Sequence, residues 1–102
     1  MSHTEVVMRV RFKSDLNLEQ ITEIVEDRAP EFVALGGLKQ KYYLQDVESG
    51  EYAGLYVWDS MEALEKFRDS ELRATIAKAY QAIEEPQVEV YRVFKVLRDR
   101  AA

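Results

Sequence analysis

The first regular pattern along the chain is an alternation of apolar and polar side chains near its N-terminus. The apolar positions are Val6, Met8, Val10 and Phe12. Arg9 and Arg11 fill the positions between them, and a period of two is typical of a strand with one face in a core. We therefore predict a first β-strand over residues 5–12.

A helical period follows this strand. Its apolar positions are Leu18, Ile21, Val25, Ala29 and Phe32. Asn17 with Gln20 three positions later has the spacing of a capping box, which predicts that the helix begins there. Pro30 is expected to interrupt the hydrogen bonding and to split off a last turn. Gly36-Gly37 then suits the end of the helix.

Two apolar stretches with strand character come next. Residues 38–46 and 52–58 flank a short loop, residues 47–50, whose last position is Gly50. Glycine adopts a positive φ angle at little cost, which suits the tight turn between paired strands. The pattern predicts an antiparallel hairpin.

The following stretch returns to a helical period and ends at a proline. Its apolar positions are Met61, Leu64, Phe67, Leu72, Ile76, Ala79, Tyr80 and Ile83. Asp59 and Glu62 have the spacing of a capping box, and the helical region is expected to break near Ser70. Pro86 closes it, and residues 88–97 are rich in β-branched and aromatic side chains, which predicts a final strand.

The predicted order, βαββαβ, is the split βαβ arrangement of the ferredoxin-like α+β fold. It places two helices on one face of a four-stranded antiparallel sheet and leaves the other face bare. The alternation assigns to the bare face Val7, Arg9, Arg11, Lys39, Lys41, Tyr43, Tyr52, Tyr56, Trp58, Tyr91 and Val93. Three aromatic residues on one strand indicate that another surface covers this face. No repeat or linker is visible, so residues 1–102 are predicted to be one domain.

Composition and charge narrow the classes of function. The chain has no cysteine, which excludes a disulfide framework, a thiolate nucleophile, a zinc–cysteine site and an iron–sulfur cluster. Its net charge of −5 opposes nucleic-acid binding by counterion release. Residues 1–5 lack a basic leader, and no apolar run approaches the ~20 residues that span a bilayer. We expect a cytoplasmic protein without nucleic-acid or membrane partners.

Several stretches of the chain resemble the YdhR-type monooxygenase family. They are residues 37–46, 48–50, 53–60, 62–67 and 86–90. This family is placed with the dimeric α+β barrel proteins, which include the antibiotic-biosynthesis monooxygenases. The resemblance implies a homodimer in which two ferredoxin-like sheets come together as a barrel, with a ligand cavity in each subunit. It also implies oxidation of an aromatic substrate by dioxygen without a metal, a flavin or another cofactor.

Such an oxidation needs an apolar pocket, a group that takes a proton, and donors that stabilise the resulting anion. On this interpretation Tyr42, Trp58 and Arg92 are candidate catalytic residues, because each lies in a predicted strand that could line a cavity. Tyr56 and Tyr80 are candidates for binding the substrate, a small hydrophobic or aromatic molecule. Arg92 also breaks the apolar alternation of the last strand, which places it to meet an anionic ligand. The competing explanations are ordinary packing for the aromatic residues and a solvated or ion-paired side chain for Arg92.

Other chemistries have weaker support in the sequence. His3 is the only histidine, and it lies close to a terminus that we expect to be mobile. Asp46, Glu48 and Glu51 lack the spacing of a calcium loop, and no glycine-rich nucleotide motif is present. Gly54, in the middle of a predicted strand, indicates a bulge or the close approach of another backbone or of a ligand.

Two functions other than oxygenation stay open. A dimeric binding protein could use the same cavity for a hydrophobic ligand without turnover, since no acid–base pair stands out. Single-stranded RNA binding is the second alternative, because RNA-recognition domains share the βαββαβ order and stack bases on sheet aromatics such as Tyr52, Tyr56 and Trp58. The negative charge, the position of Glu51 before Tyr52, and the lack of an aromatic residue among Val7, Arg9 and Arg11 on the bare face of the first strand count against RNA.

Overall fold

A computed structural model describes residues 4–98, and His3 therefore lies outside the described residues. Strands and helices follow one another in the predicted βαββαβ order, with the second helical region divided into three short helices. The elements are β1 (Val6–Phe12), α1 (Leu18–Val33), β2 (Leu38–Gln45), β3 (Tyr52–Trp58), α2 (Met61–Arg68), α3 (Glu71–Ala74), α4 (Ile76–Ala79) and β4 (Gln87–Arg92). The predicted break near Ser70 is confirmed, because Ser70 caps α3 through a hydrogen bond that its hydroxyl accepts from the Arg73 amide.

The four strands form one antiparallel sheet in the order β2-β3-β1-β4. The two strands at the centre, β1 and β3, are thus not neighbours in sequence, and a helical segment follows each of them. This is the ferredoxin-like α+β fold, so the predicted fold class is confirmed. No described helix is long and apolar enough to cross a membrane.

The helices pack on one side of the sheet, here called the covered face. Along β1 and β3 every second side chain is buried there. The buried positions of these two strands are Val6, Met8, Val10, Phe12, Tyr52, Gly54, Tyr56 and Trp58. Leu64 and Phe67 of α2 and Phe32 of α1 complete the packing from the helical side. Burying each large apolar side chain contributes roughly 1.5–3 kcal/mol, so this face supplies most of the hydrophobic stabilisation.

The opposite side, here called the open face, carries Val7, Arg9 and Arg11 as predicted. The prediction for β3 was wrong, because Tyr52, Tyr56 and Trp58 lie on the covered face and not on the open one. Their places on the open face are taken by the alternate residues of β3, which are Ala53, Leu55 and Val57. Sheet aromatics of β3 are therefore not exposed for base stacking, which removes the main support for RNA binding.

The side chains of β2 are also distributed differently from the prediction, and a β-bulge is the cause. Leu38 pairs with Trp58, but Gln40 pairs with Val57, so Lys39 is an extra residue in the ladder. Beyond the bulge the alternation is shifted by one position. Lys41 and Tyr43, predicted on the bare face, therefore share the covered face with their partners Tyr56 and Gly54.

The first helix begins as predicted but does not divide. Asn17 and Gln20 form a capping box, with both side-chain-to-backbone hydrogen bonds at 2.9 Å. Pro30 lies inside a continuous α1, so the predicted split was wrong. The proline removes one amide donor, yet its carbonyl still accepts a hydrogen bond from the Ala34 amide at 3.2 Å, which carries the helix through its last turn.

Three element ends complete the comparison with the sequence. Gly50 has the predicted positive φ, 78°. The N-cap of α2 is Ser60, whose hydroxyl accepts from the Ala63 amide, so the prediction of Asp59 was displaced by one residue. The last strand ends at Arg92 instead of residue 97. Val6, the first residue of its partner β1, pairs with Arg92, and beyond this pair the Val93 amide donates one hydrogen bond to the Glu5 carbonyl at 3.1 Å.

Candidate functional site

A cavity of about 270 Å³ lies between the covered face of the sheet and the helices. It is lined by apolar side chains of α1 and β1, which are Leu18, Ile21, Val25, Val10 and Phe12. Its polar groups belong to Lys41, Tyr43, Tyr52, Tyr56 and Tyr80. A cavity of this kind accommodates a small apolar molecule that presents one polar group.

The ammonium group of Lys41 is surrounded by aromatic rings, an arrangement here called the lysine cage. Its Nζ atom lies 3.3 Å from the centre of the Phe32 ring, 4.4 Å from that of Tyr43 and 4.5 Å from that of Tyr56. Among the described residues no carboxylate forms a salt bridge with Lys41. The positive charge is thus offset by ring faces and not by a counterion.

The lysine cage changes the acidity of its amine. Burial, together with the smaller effect of the nearby cation of Arg28, lowers the pKa of Lys41 from 10.5 to about 7. Ring faces favour the charged form, so they oppose this shift without supplying a full negative charge. Near neutral pH the group is therefore divided between an amine that accepts a proton and an ammonium that donates one.

Tyrosine hydroxyls supply the other polar groups of the cavity. The hydroxyl of Tyr80 is buried and has no hydrogen-bond partner among the described residues. Burial raises the pKa of Tyr80 to about 12, and it raises the pKa of Tyr43 and Tyr56 as well. All three phenols keep their protons at neutral pH, so each offers a donor to a ligand oxygen.

Arg28 of α1 adds a second positive charge next to the lysine cage. Its guanidinium donates to the carbonyl of Leu72 at 3.0 Å and to the hydroxyl of Thr75 at 3.3 Å. It also lies over the rings of Phe32 and Tyr80, at 5.9 and 6.0 Å from their centres. These contacts fix Arg28 between α1 and α3, where its charge favours an anionic oxygen near Lys41.

The structure brings together two of the five predicted site residues. Tyr56 and Tyr80 both line the cavity, as expected for residues that bind a substrate. Trp58 is 1% exposed and stacks on Tyr56 with an interplanar angle of 4°, behind the cavity wall. Tyr42 is 51% exposed, and its pairing with Leu55 places it on the open face. Arg92 is exposed at the end of β4 and does not line the cavity.

Lys41 is the functional residue that sequence reasoning missed, and Gly54 is the signal that could have indicated it. A Cβ atom at Gly54 would lie 3.4 Å from Cε of Lys41 and 3.0 Å from Cε1 of Tyr56. The close approach at Gly54 thus comes from two side chains and not from another backbone, and the bulge lies at Lys39. A glycine opposite a lysine between aromatic residues leaves room for the lysine stem to lie over the sheet.

The residues that the structure describes contain no group of three or more histidine, cysteine, aspartate or glutamate side chains placed to hold a metal ion. The acidic residues of the β2–β3 loop are instead engaged with Arg11. Asp46 accepts from its guanidinium at 3.0 Å and Glu51 at 3.2 Å. This cluster is an ion-paired loop on the open side of the sheet.

Comparisons with known proteins found similarity at the level of the fold. Neither a protein-family model nor a curated protein matches the sequence. Among solved structures, SnoaB of Streptomyces nogalater, a cofactor-independent oxygenase, is similar with a TM-score of 0.74 and 16% identity, over 94% of this chain and 99% of that one. A candidate antibiotic biosynthesis monooxygenase of Bordetella bronchiseptica has a TM-score of 0.74 and 19% identity, over 93% and 100% of the two chains.

A dimeric ferredoxin-like protein of unknown function from Thermobifida fusca is similar over 89% of this chain and 92% of its own, with a TM-score of 0.68 and 12% identity. At such identities the likeness concerns the fold alone. The structural neighbours are thus proteins of the antibiotic-biosynthesis-monooxygenase fold, and the chemistry of this chain has to be argued from its own cavity.

Proposed function

We propose that the protein is a cofactor-independent monooxygenase that oxidises a small aromatic or enolisable compound with dioxygen. The observation that carries this proposal is the lysine cage, a basic amine without a carboxylate partner on the wall of an apolar cavity. An amine with a pKa of about 7 is suited to remove the proton of a phenol or enol near neutral pH. The names of the structural neighbours agree with this class of reaction.

The proposed reaction begins when Lys41 takes a proton from the bound substrate and remains beside the resulting anion as an ammonium. At an aromatic ketone with an adjacent methylene group, this anion is an enolate that adds dioxygen at carbon. The hydroperoxide then loses water and leaves a new carbonyl group, so one oxygen atom is retained and the other departs as water. The hydroxyl of Tyr80 and the charge of Arg28 favour the anion while it exists.

The assignments of the other sequence-predicted residues remain part of this proposal. Tyr56 and Tyr80 bind the substrate by stacking and hydrogen bonding. Trp58 acts through Tyr56, whose ring it holds parallel at a centroid distance of 6.0 Å. Tyr42 and Arg92 lie outside the cavity wall, so a catalytic role for either requires a contribution across a subunit interface.

The proposed assembly is a homodimer formed through the open face. This face exposes several large apolar side chains, of which Tyr91 is 52% and Leu44 43% exposed. Paired charges at Arg9 and Arg11 flank them, so the face can be buried without leaving an isolated charge. Sedimentation of the wild type as a dimer, and of Leu55→Asp as a monomer, would support this assembly. A monomeric wild type at micromolar concentration would refute it.

The test of the function is oxygen uptake by metal-stripped, flavin-free protein with anthrones, hydroquinones and polyphenols. Lys41→Met is expected to lower the rate at least a hundredfold, because general-base catalysis contributes about 10²–10⁴-fold. Lys39→Met is the matched control on the same strand, and its rate is expected to equal that of the wild type. Equal rates in the wild type and Lys41→Met would refute the assignment of the base.

A non-catalytic binding protein for a hydrophobic small molecule is the second candidate function. It is favoured by the buried hydroxyl of Tyr80, which has no hydrogen-bond partner among the described residues. A bound ligand oxygen would satisfy this hydroxyl without any chemical reaction. Thermal stabilisation by members of the same panel, without uptake of oxygen by any of them, would support this alternative.

A further inference from the structure

We propose a second activity for the cavity, in which the Lys41 amine condenses reversibly with a small uncharged aldehyde or ketone to form an imine. This activity goes beyond the proposed oxygenase and does not depend on it. The oxygenase requires the amine to act as a base towards an acidic hydroxyl. The imine requires the same nitrogen to act as a nucleophile towards a carbonyl carbon.

The position of the amine favours addition to a bound carbonyl compound. Lys41 is held on β2 by pairing with Tyr56, and its stem passes over Gly54 to the cavity wall. The rings of the lysine cage fix the nitrogen within 3.3–4.5 Å of three aromatic centres. A nucleophile with a fixed position at an enclosed site gains from proximity to any molecule that fills the cavity.

Of the titratable groups that face Lys41, the cation of Arg28 favours its neutral form, whereas the ring faces of Tyr43 and Tyr56 favour the ammonium. These groups are Arg28 from α1, Tyr43 from its own strand, Tyr56 from β3 and Tyr80 at the end of α4. Among these groups there is one cation and there are three phenols, and no acidic residue belongs to the described wall of the cavity. A lysine that is desolvated next to another cation is the arrangement that activates amines for imine formation.

The chemistry balances without a further reactant. The nitrogen lone pair attacks the carbonyl carbon, a C–N bond forms, and the carbonyl π electrons pass to the oxygen. The amine gives up two protons in all, and the oxygen accepts both and leaves as water. The hydroxyl of Tyr80, which keeps its proton, belongs to the same cavity lining and can donate a hydrogen bond to this oxygen. Nothing is oxidised or reduced.

The walls of the cavity define the class of carbonyl compound. Leu18, Ile21 and Val25 present an apolar surface to the ligand, and the volume of about 270 Å³ limits the ligand to one or two rings. An uncharged aromatic aldehyde or cyclic ketone satisfies both conditions. Benzaldehyde is therefore a suitable probe, and cyclohexanone is its aliphatic counterpart.

The experiment is reductive trapping in the full chain. Protein is incubated with benzaldehyde and cyanoborohydride at pH 7, and the lysine that gains a benzyl group is identified by peptide mass mapping. Lys41 is expected to take up label at least ten times faster than Lys39, an exposed lysine two positions away on the same strand. The preference should shrink as the pH approaches 10, because ordinary lysines then also lose their protons.

Variants distinguish the effect of the cavity on labelling from the effect of the positive charge at position 41. Lys41→Arg keeps the positive charge and is expected to lose the rapid label, whereas Lys39→Met should retain it. Val25→Phe fills part of the cavity and should slow labelling of Lys41 at least fivefold without affecting Lys39. Equal labelling of Lys41 and Lys39 in the wild type at pH 7 would overturn the proposal, and this measurement needs no variant to fold.

Oxygen uptake and trapping can be measured on the same preparations. Label on Lys41 without oxygen uptake would support the imine activity and count against the oxygenase. Oxygen uptake without preferential labelling of Lys41 would support the oxygenase and count against the imine activity. Failure of one proposal is therefore distinguishable from failure of the other.

Discussion

On the open face of the sheet the arginines of β1 pair with carboxylates, whereas on the covered face Lys41 of β2 lies among aromatic rings and has no carboxylate partner among the described residues. Arg9 pairs with Glu89, and Arg11 pairs with both Asp46 and Glu51. The sheet thus carries positive charge on both faces, but within the described residues carboxylates neutralise it only on the open face. A charge that the protein has not neutralised is one that a ligand can use.

The effect on acidity differs in the same way. The backbone amides of Ser49 and Glu48, together with the Arg11 guanidinium, lower the pKa of Asp46 to about 2, so this carboxylate stays ionised over the physiological range. Burial lowers the pKa of Lys41 to about 7, so this amine changes its charge within that range. The open face is therefore electrostatically fixed, and the covered face responds to pH and to a bound molecule.

The largest expected difference between the faces concerns packing at neighbouring positions of β1. Met8→Ala removes a side chain that is 1% exposed and should lower the free energy of unfolding by about 2–4 kcal/mol. Val7→Ala, on the open face, should cost less than about 1 kcal/mol. Urea unfolding at one protein concentration measures both. Equal costs would mean that the open face is as tightly packed as the covered one.

A second difference is the pH dependence of stability that Lys41 confers. Between pH 7 and 10.5 the unfolded chain holds the Lys41 proton while the folded chain has released it, so the free energy of unfolding rises with pH. Lys41→Met removes this dependence. Relative to the wild type, the variant should be more stable at pH 6 than at pH 10 by roughly 2 kcal/mol, since solvent in the cavity screens part of the full shift.

The matched control for this measurement is Lys39→Met on the same strand, measured relative to the wild type at pH 6 and at pH 10. Chemical denaturation at both pH values provides the comparison. A wild type and a Lys41→Met variant with parallel pH profiles would show that Lys41 is as readily protonated as an exposed lysine.

A third prediction concerns the space above Gly54. Gly54→Ala places a Cβ atom against Tyr56 and the stem of Lys41, and the flexible lysine is expected to move towards the cavity. Binding of an aromatic ligand should weaken about tenfold, which corresponds to about 1.4 kcal/mol. Fluorescence titration measures it. Val57→Ala, at an open-face position of the same strand that does not line the cavity, is expected to leave the affinity unchanged.

The smallest expected effect is that of an ion pair on the open face. Arg9→Ala removes the pair with Glu89, whose side chains are both more than a third exposed. Such pairs contribute at most about 1 kcal/mol, and less in high salt. A loss larger than that in urea unfolding would indicate that the pair is buried in the assembled protein.

The sequence was sufficient for the order of the elements, for the faces of β1 and for the capping box at Asn17, because each rests on a local pattern. The faces of β3 could not be read in this way. Tyr52, Tyr56 and Trp58 alternate with residues that are also apolar, so alternation gives the period without indicating which set is buried. Only packing against α1 and α2 decides between the two sets.

The candidate site was predicted less completely than the fold, for reasons of the same kind. Tyr56 and Tyr80 were identified because aromatic residues commonly line cavities, and the cavity includes both. Lys41 was missed because lysine is seldom buried without a counterion, and because the bulge that turns it inward leaves no signature in the order of residues. A side chain that violates the usual rules of burial is difficult to predict and is informative once it is found.

The bulge at Lys39 has a consequence for how this fold can acquire new ligands. Deleting Lys39 would leave Gln40 opposite Val57 and Lys41 opposite Tyr56, so the side chains beyond it would keep their faces. Moving the extra residue to the other end of β2 at constant length would instead turn Tyr42 and Leu44 inward and Lys41 and Tyr43 outward. The position of a bulge therefore sets the inner surface of such a sheet as much as its composition does, and cavity chemistry can change without substituting any residue of the site.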